Sequence, residues 1–222
     1  MHDIRHLMHL LVSNIELLQK QTTKQSETVP IIDNAFWTAE MISARLAVVD
    51  AELNPERFYA QHTVSARVYA KFDKATRILR VKARPKNVTC KLDGQTDFSW
   101  ETYPIFDLLP FVILDNAIKY SPKSYPVTIS LVENKGGLLV RVESFGPTMS
   151  DDERLNAFNK YFRGQNAQSV TQDGEGIGLF LAKSIADLHE VDLSIELGPP
   201  LTSISDIPYG TFAAQLNFKR GL

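Results

Sequence analysis

The chain has 222 residues and 24 lysines and arginines against 26 acidic residues, a net charge of -2. That length holds one large domain or two small ones with a real core, and that charge excludes the basic footprint of a nucleic-acid binder. The 44% hydrophobic and 23% charged content is ordinary for a soluble globular protein. Cys90 is the single cysteine, which excludes an internal disulfide framework and suits a reducing compartment. No apolar run is long enough to span a bilayer, and no signal peptide opens the chain.

Residues 3–20 are predicted to form a helix, because Ile4, Met8, Leu11, Ile15 and Leu18 step by four and three. The polar stretch 21–28 reads as a hairpin loop. A second helix follows, with Pro30 near its start and Ile42, Leu46, Val49 and Leu53 as its seam. Two such helices cannot bury their seams alone. The simplest solution is a homodimer with a four-helix bundle, so 1–58 is expected to be a dimerising hairpin and 59–222 a second domain. His2, His6 and His9 share one stripe of the first helix. No acid completes a metal shell there at the usual spacing, and no metal site is assigned.

In the second domain, 63–73 reads as a helix, and 77–81 and 87–92 read as strands around a turn at 82–86. Pro104 introduces a helix with Phe106, Leu109, Ile113, Leu114 and Ala117 as its core face. Asn116, Lys119 and Tyr120 lie on its other side, at i, i+3 and i+4. Residues 127–132 and 138–143 alternate as a hairpin. A helix over 151–162 is opened by Ser150, with Leu155, Phe158 and Phe162 as its apolar side. A polar stretch runs from Arg163 to Asp173. Strands are expected at 194–197 and 211–218, with a proline-rich connection over 198–209. His62 and His189 read as structural.

The most informative stretch is Gly174-Glu175-Gly176-Ile177-Gly178-Leu179, which runs straight into a segment with helical spacing: Ile177, Phe180, Leu181, Ile185 and Leu188. Glycine admits positive φ and lets a ligand approach with no Cβ in the way. The helix behind it offers free N–H groups and a positive dipole end. The pair forms a phosphate cradle in principle, and for a lone motif a ligand-free helix cap is the plain alternative.

The companions decide between these. They are Leu114-Asp115-Asn116-Ala117-Ile118-Lys119-Tyr120-Ser121-Pro122, then Val142-Glu143-Ser144-Phe145-Gly146-Pro147-Thr148-Met149, then Phe158-Asn159-Lys160-Tyr161-Phe162-Arg163-Gly164, and downstream Gly210-Thr211-Phe212. Over about residues 85–220 this series resembles the ATP-binding catalytic domain of sensor histidine kinases. Its fold is shared with DNA gyrase, a heat-shock chaperone family and the MutL mismatch-repair proteins. The resemblance implies an α+β chain, a helical hairpin followed by an α/β sandwich, with ATP and Mg²⁺ as cofactors. It assigns Asn116 to Mg²⁺, for which an amide oxygen is a suitable hard donor. Lys119 would face phosphate, and Tyr120 the sugar or phosphate edge. Ser144 and Gly146 stand in the adenine region, and Gly174, Gly176, Gly178 and Leu179 in the phosphate loop. The stretch from Arg163 is the place of a mobile lid; Arg163 itself is either a γ-phosphate ligand or a solvated loop arginine.

The N-terminal His2-Asp3-Ile4-Arg5-His6-Leu7-Met8 resembles the phosphoacceptor box of the same family. A neutral imidazole is a nucleophile near pH 7, and Asp3 can take its proton or hold its tautomer. A frayed, solvated terminus is the plain alternative for His2. Leu7 replaces the usual proline, and His6 replaces an Asn or Thr linked to dephosphorylating the partner. The implied partners are a second copy of the chain and a response-regulator receiver domain. The segment makes no membrane contact of its own and is read as the cytoplasmic part of a longer membrane-bound sensor.

Three positions depart from the family pattern. Val112 stands where Asn or Glu is common, which removes a water-activating base and argues against simple ATP hydrolysis. Ser144 replaces the Asp that receives the adenine amino group. Loss of a charged hydrogen bond, about 1.5–3 kcal/mol, lowers ATP affinity by roughly one or two decades. Thr148 replaces a glycine and narrows the pocket. A dimeric phosphotransfer or scaffold protein with a degenerate nucleotide site is therefore the second reading, and a free-standing ATPase the third.

Overall fold

The computed structural model describes residues 39, 42, 46, 48, 49, 53–172 and 174–220. The chain divides into two compact units, Met1–Gln61 and His62–Leu222. In the first, most of the expected helical pair lies outside the described residues, as do His2, His6 and His9. Ile42 and Val48 are buried, whereas Leu46, Val49 and Leu53 remain 49%, 42% and 74% exposed. A short helix α1 (Pro55–Tyr59) has its proline in the first turn, where no N–H is needed.

The second unit is built on a five-stranded sheet in the order β2-β4-β5-β7-β6. Its strands are β2 (Cys90–Asp93), β4 (Val127–Asn134), β5 (Gly137–Pro147), β6 (Asp192–Ile204) and β7 (Ile207–Lys219). Only the β2–β4 pairing is parallel. Strands β1 (Val64–Arg67) and β3 (Ser99–Thr102) form a separate antiparallel pair. One face of the large sheet presents Ile129 and Leu131, Val140 and Val142, Ala214 and Leu216, and Leu193 and Ile195, all buried. The opposite face carries Arg141, which is paired with Glu143 at 3.0 Å and with Glu196. One apolar and one charged face is the normal pattern of an antiparallel sheet covered on one side.

Three helices supply the cover: α2 (Val68–Ala83), α3 (Leu108–Tyr120) and α6 (Gly178–Leu188). Helix α3 lies between the other two, which is why nine of its residues are buried. Pro110 is tolerated because it falls in the first turn. The residues of α3 that reach outward are Asp115, Asn116, Lys119 and Tyr120. Ion pairs fix the direction of α2. Lys71 and Lys74 pair with Asp107 at the start of α3, and Lys82 pairs with Asp115 near its end. The two helices therefore run parallel, with both C-termini at the same end.

Four sequence expectations are corrected. The stretch 63–73 is not all helix: Val64 to Arg67 pair with Thr102 to Ser99, and the helix begins at Val68. Residues 77–81 are helical rather than a strand, because Phe72, Ala75, Leu79 and Ala83 make a buried stripe of helical period. The helix at 151–162 stops at Asn156 and leaves Leu155 72% exposed. The connection 198–209 is strand almost throughout. It closes at Ser205 and Asp206, whose φ values of 51° and 63° make a two-residue turn of the type that matches strand twist.

His189 holds the end of α6 against the rest of the unit. Its Nδ1 lies 2.7 Å from the Ile185 carbonyl oxygen and donates to it, its Nε2 accepts from the Tyr103 N–H at 3.0 Å, and its carbonyl accepts from the Trp100 indole at 2.9 Å. A proton on Nε2 would break the Tyr103 bond, and burial pushes the imidazole below its ordinary pKa. The folded state therefore binds a proton less readily than the unfolded chain. Its contribution is complete above about pH 6.5 and is lost as the pH falls below that value. The melting temperature is expected to drop between pH 7.5 and 5.5, the unfolding free energy falling by up to about 1.4 kcal/mol per pH unit from this group. In His189→Gln the profile should be flatter; an identical slope in the variant would refute this assignment.

Candidate functional site

The site forms where the C-terminal half of α3, the glycine loop and the end of β5 meet. Gly174 has φ +107°, and a Cβ there would overlap the Lys119 ammonium. Gly176 has φ +71°, and its Cβ would collide with the Phe162 carbonyl and the Tyr161 carbonyl carbon. Its own carbonyl accepts from the Tyr161 N–H at 3.0 Å. Gly176 is thus required by positive φ and by the close approach of backbone, and Gly174 by its positive φ. Helix α6 begins at Gly178, directly after the loop, and its first-turn N–H groups have no side-chain cap. Leu179 is half-buried in that first turn.

Lys119 reaches Gly174 and also lies 5.3 Å from the centre of the Tyr120 ring. Tyr120 faces Gly146 on β5: a Cβ on that glycine would be 3.9 Å from both Tyr120 Cβ and Phe212 Cβ. Ser144, two residues earlier, shares that inward face and is buried. Asn116 is half-buried, and its amide makes no hydrogen bond to another described residue. The neighbouring Asp115 is neutralised by Lys82. Lys119 and Tyr120 are therefore brought to the glycine loop and to Gly146, with Asn116 one turn before Lys119 on the same helix and Ser144 two residues before Gly146 on the same strand face. Val112 is buried and packs toward Gly178, 3.7 Å from where a Cβ would stand. His2 and Asp3 lie outside the described residues.

The stretch after β5 holds more regular structure than its polar sequence indicates. Helix α4 (Asp151–Asn156) carries a full capping box: Glu153 N–H donates to Ser150 Oγ at 3.2 Å, and Glu153 Oε2 accepts from Ser150 N–H at 2.8 Å. The other oxygen of Glu153 accepts from the Gln165 N–H at 2.7 Å, which starts helix α5 (Gln165–Val170). These two N–H donors hold the Glu153 carboxyl below its ordinary range. Arg163 is not a solvated loop arginine. Its guanidinium donates to the carbonyls of Ala167, Thr171 and Gln172 and so closes the far end of α5. Thr148 continues β5 by bonding to the Pro208 carbonyl at 2.9 Å, and it accepts from Asn166 through its own carbonyl at 2.8 Å. The position that departs from glycine thus ties the end of β5 to helix α5. The Ser150–Glu153 spacing was a readable signal for this cap. The contacts of Thr148 and Arg163 had none.

A mixed sheet covered on one face by three helices, with a glycine loop leading into the third, defines an α/β sandwich of the ATPase type. Residues 111–214, from α3 into β7, match the family described as histidine kinase-, DNA gyrase B-, and HSP90-like ATPase. The matched region is similar to that family, and the chain is similar to curated sensor kinases over most of its length. It is 24% identical over 209 residues to the probable sensor kinase SilS of Salmonella typhimurium, covering 88% of this chain and 40% of that protein. It is 27% identical over 207 residues to the swarming motility regulation sensor protein RssA of Serratia marcescens, covering 89% and 42%. The chain thus spans about two fifths of these relatives. The fold is similar to that of the catalytic domain of histidine kinase ThkA, with a TM-score of 0.55 at 16% identity over 71% of this chain and 96% of that one. Among the described residues no helix is long and apolar enough to cross a membrane.

Proposed function

We propose that the chain is the catalytic core of a sensor histidine kinase, which transfers a phosphoryl group from ATP to His2 and then to an aspartate of a response-regulator receiver domain. The observation that carries this reading is the approach of Lys119, one turn beyond Asn116 on α3, to a loop with two positive-φ glycines at the start of α6, which has no side-chain cap. An N-terminal helix end, a cation and a loop without Cβ atoms suit a polyphosphate. Tyr120, Ser144 and Gly146 line the neighbouring space for the nucleoside. Arg163 holds the lid that covers the γ-phosphate. The half-buried Asn116 amide, unclaimed among the described residues, fits a magnesium ion. That ion, when bound, supplies charge neutralisation on the phosphates.

In the reaction the His2 imidazole nitrogen bonds to the γ-phosphorus, the bond from that phosphorus to the β–γ bridging oxygen breaks, and ADP leaves. Asp3 takes or orients the imidazole proton. Val112 leaves no carboxylate at its position to activate water, which favours transfer over hydrolysis. Leu46, Val49 and Leu53, exposed in a single chain, support a homodimer through the helical unit. A cytoplasmic position follows from this function.

Buried Ser144 and the lid-anchoring Thr148 favour one alternative, a dimeric scaffold or phosphotransfer protein with a degenerate nucleotide site. Incubation with γ-labelled ATP and Mg²⁺, wild type beside His2→Gln, separates the two. Acid-labile, alkali-stable label on the wild type alone is the expected result. No label together with no ATP binding by calorimetry points to the scaffold. Label that survives in His2→Gln moves the acceptor to His6 or His9.

A further inference from the structure

The nucleotide-facing residues of α3 sit at the wrong end of their helix for an anion. The C-terminus of a helix carries a partial negative charge, and Asn116, Lys119 and Tyr120 occupy its last turns. Because α2 runs parallel to α3, a second negative end lies beside the first. Lys86 meets both. Its ammonium donates to the Ile118 carbonyl at 3.0 Å and to the Lys119 carbonyl at 2.8 Å. Of the last four carbonyls of α3, the Ala117 oxygen accepts from the Ser121 N–H, and Lys86 takes the next two.

The position of Lys86 is itself built. Asn87 adopts φ 52° and ends the 3₁₀ turn Arg84–Lys86, and its amide bonds Ser124 Oγ at 3.1 Å. The Ser124 N–H returns to the Lys86 carbonyl at 3.0 Å. Burial and the nearby Lys82 both lower the proton affinity of Lys86. A cation crowded by another cation and held on helix carbonyls is stabilised by the negative helix end it covers.

Resting on the nucleotide reading above, we propose that Lys86 is an electrostatic positioning residue for the polyphosphate: it makes the C-terminal end of α3 tolerant of a triphosphate and holds Lys119 and Tyr120 in place. A simple helix cap would affect every nucleoside equally. A charge-compensating cap affects each ligand in proportion to its phosphates.

The test is a calorimetric series of ATP, ADP, AMP and adenosine, with Mg²⁺ present, on wild type, Lys86→Met, Lys86→Gln and Lys86→Arg. Lys86→Gln removes the charge and keeps an N–H₂ donor for the carbonyls, so it covers the case in which Lys86→Met fails to fold. The charge-free variants are expected to lose about tenfold affinity for ATP, about threefold for ADP and none for adenosine. The ATP loss should shrink at 0.5 M salt, and Lys86→Arg should restore the series. Equal losses across the series, adenosine included, or no loss at all would overturn the proposal. A wild type that binds none of the four ligands would instead refute the nucleotide reading itself.

Discussion

Gly176→Ala is expected to abolish nucleotide binding. At φ +71° an L-residue is strained by about 1–2 kcal/mol. The larger problem is steric. The added methyl would overlap the Phe162 carbonyl and the Tyr161 carbonyl carbon, which are backbone atoms and cannot swing aside. The loop has to move away from the 161–162 segment, and the Tyr161 N–H to Gly176 carbonyl bond breaks with it. The start of α6 then no longer presents its N–H groups beside Lys119. Affinity for ATP should fall at least about a hundredfold, or about 2.7 kcal/mol, while the sheet and the α2–α3 pair keep their circular-dichroism signature. Calorimetric titration of folded variant protein decides the matter. Binding within a few-fold of wild type would mean that the loop is not the phosphate cradle.

Asn116→Ala should remove magnesium-dependent nucleotide binding with almost no change in stability. The side chain is half-buried and bonded to no other described residue, so its loss leaves no orphaned partner. Alanine is also the better helix former. Stability should stay within the range of a neutral surface change, about 0.5 kcal/mol, and the sedimentation behaviour should match that of wild type. Titration with Mg²⁺ and with a chelator should give the same weak binding in the variant, whereas wild type should respond to the metal. A variant that still tightens its grip when Mg²⁺ is added would take the metal-binding role away from Asn116.

The local part of this site was legible because each component sits within a few residues of itself. The spacing of Asn116, Lys119 and Tyr120 on one helix and the Gly174-x-Gly176-x-Gly178 run are short-range patterns. So is the apolar face of 106–117, and all three appear in the structure where they were expected. The misread elements share a different property. Val64 to Arg67 became a strand through partners 32 to 38 residues away. Residues 198–209 became strand through pairing with β7 across a turn that no glycine announced. Strand formation there depends on a neighbour, and a local window holds no record of it.

The sequence by itself carried the resemblance to a sensor-kinase ATP-binding domain, because the glycine run and the Asn116-Lys119-Tyr120 triplet are patterns of contiguous residues. It also carried the N-terminal heptads and the histidine box. Only the tertiary structure decided how the site is held together. Lys86 reaches α3 from 32 residues away, Thr148 meets Asn166 at a separation of 18, and Glu153 starts a second helix 12 residues on. A hydrogen bond between distant residues exists only after the chain has been folded past them, since its geometry is set by the packing of helices and strands that neither residue encodes.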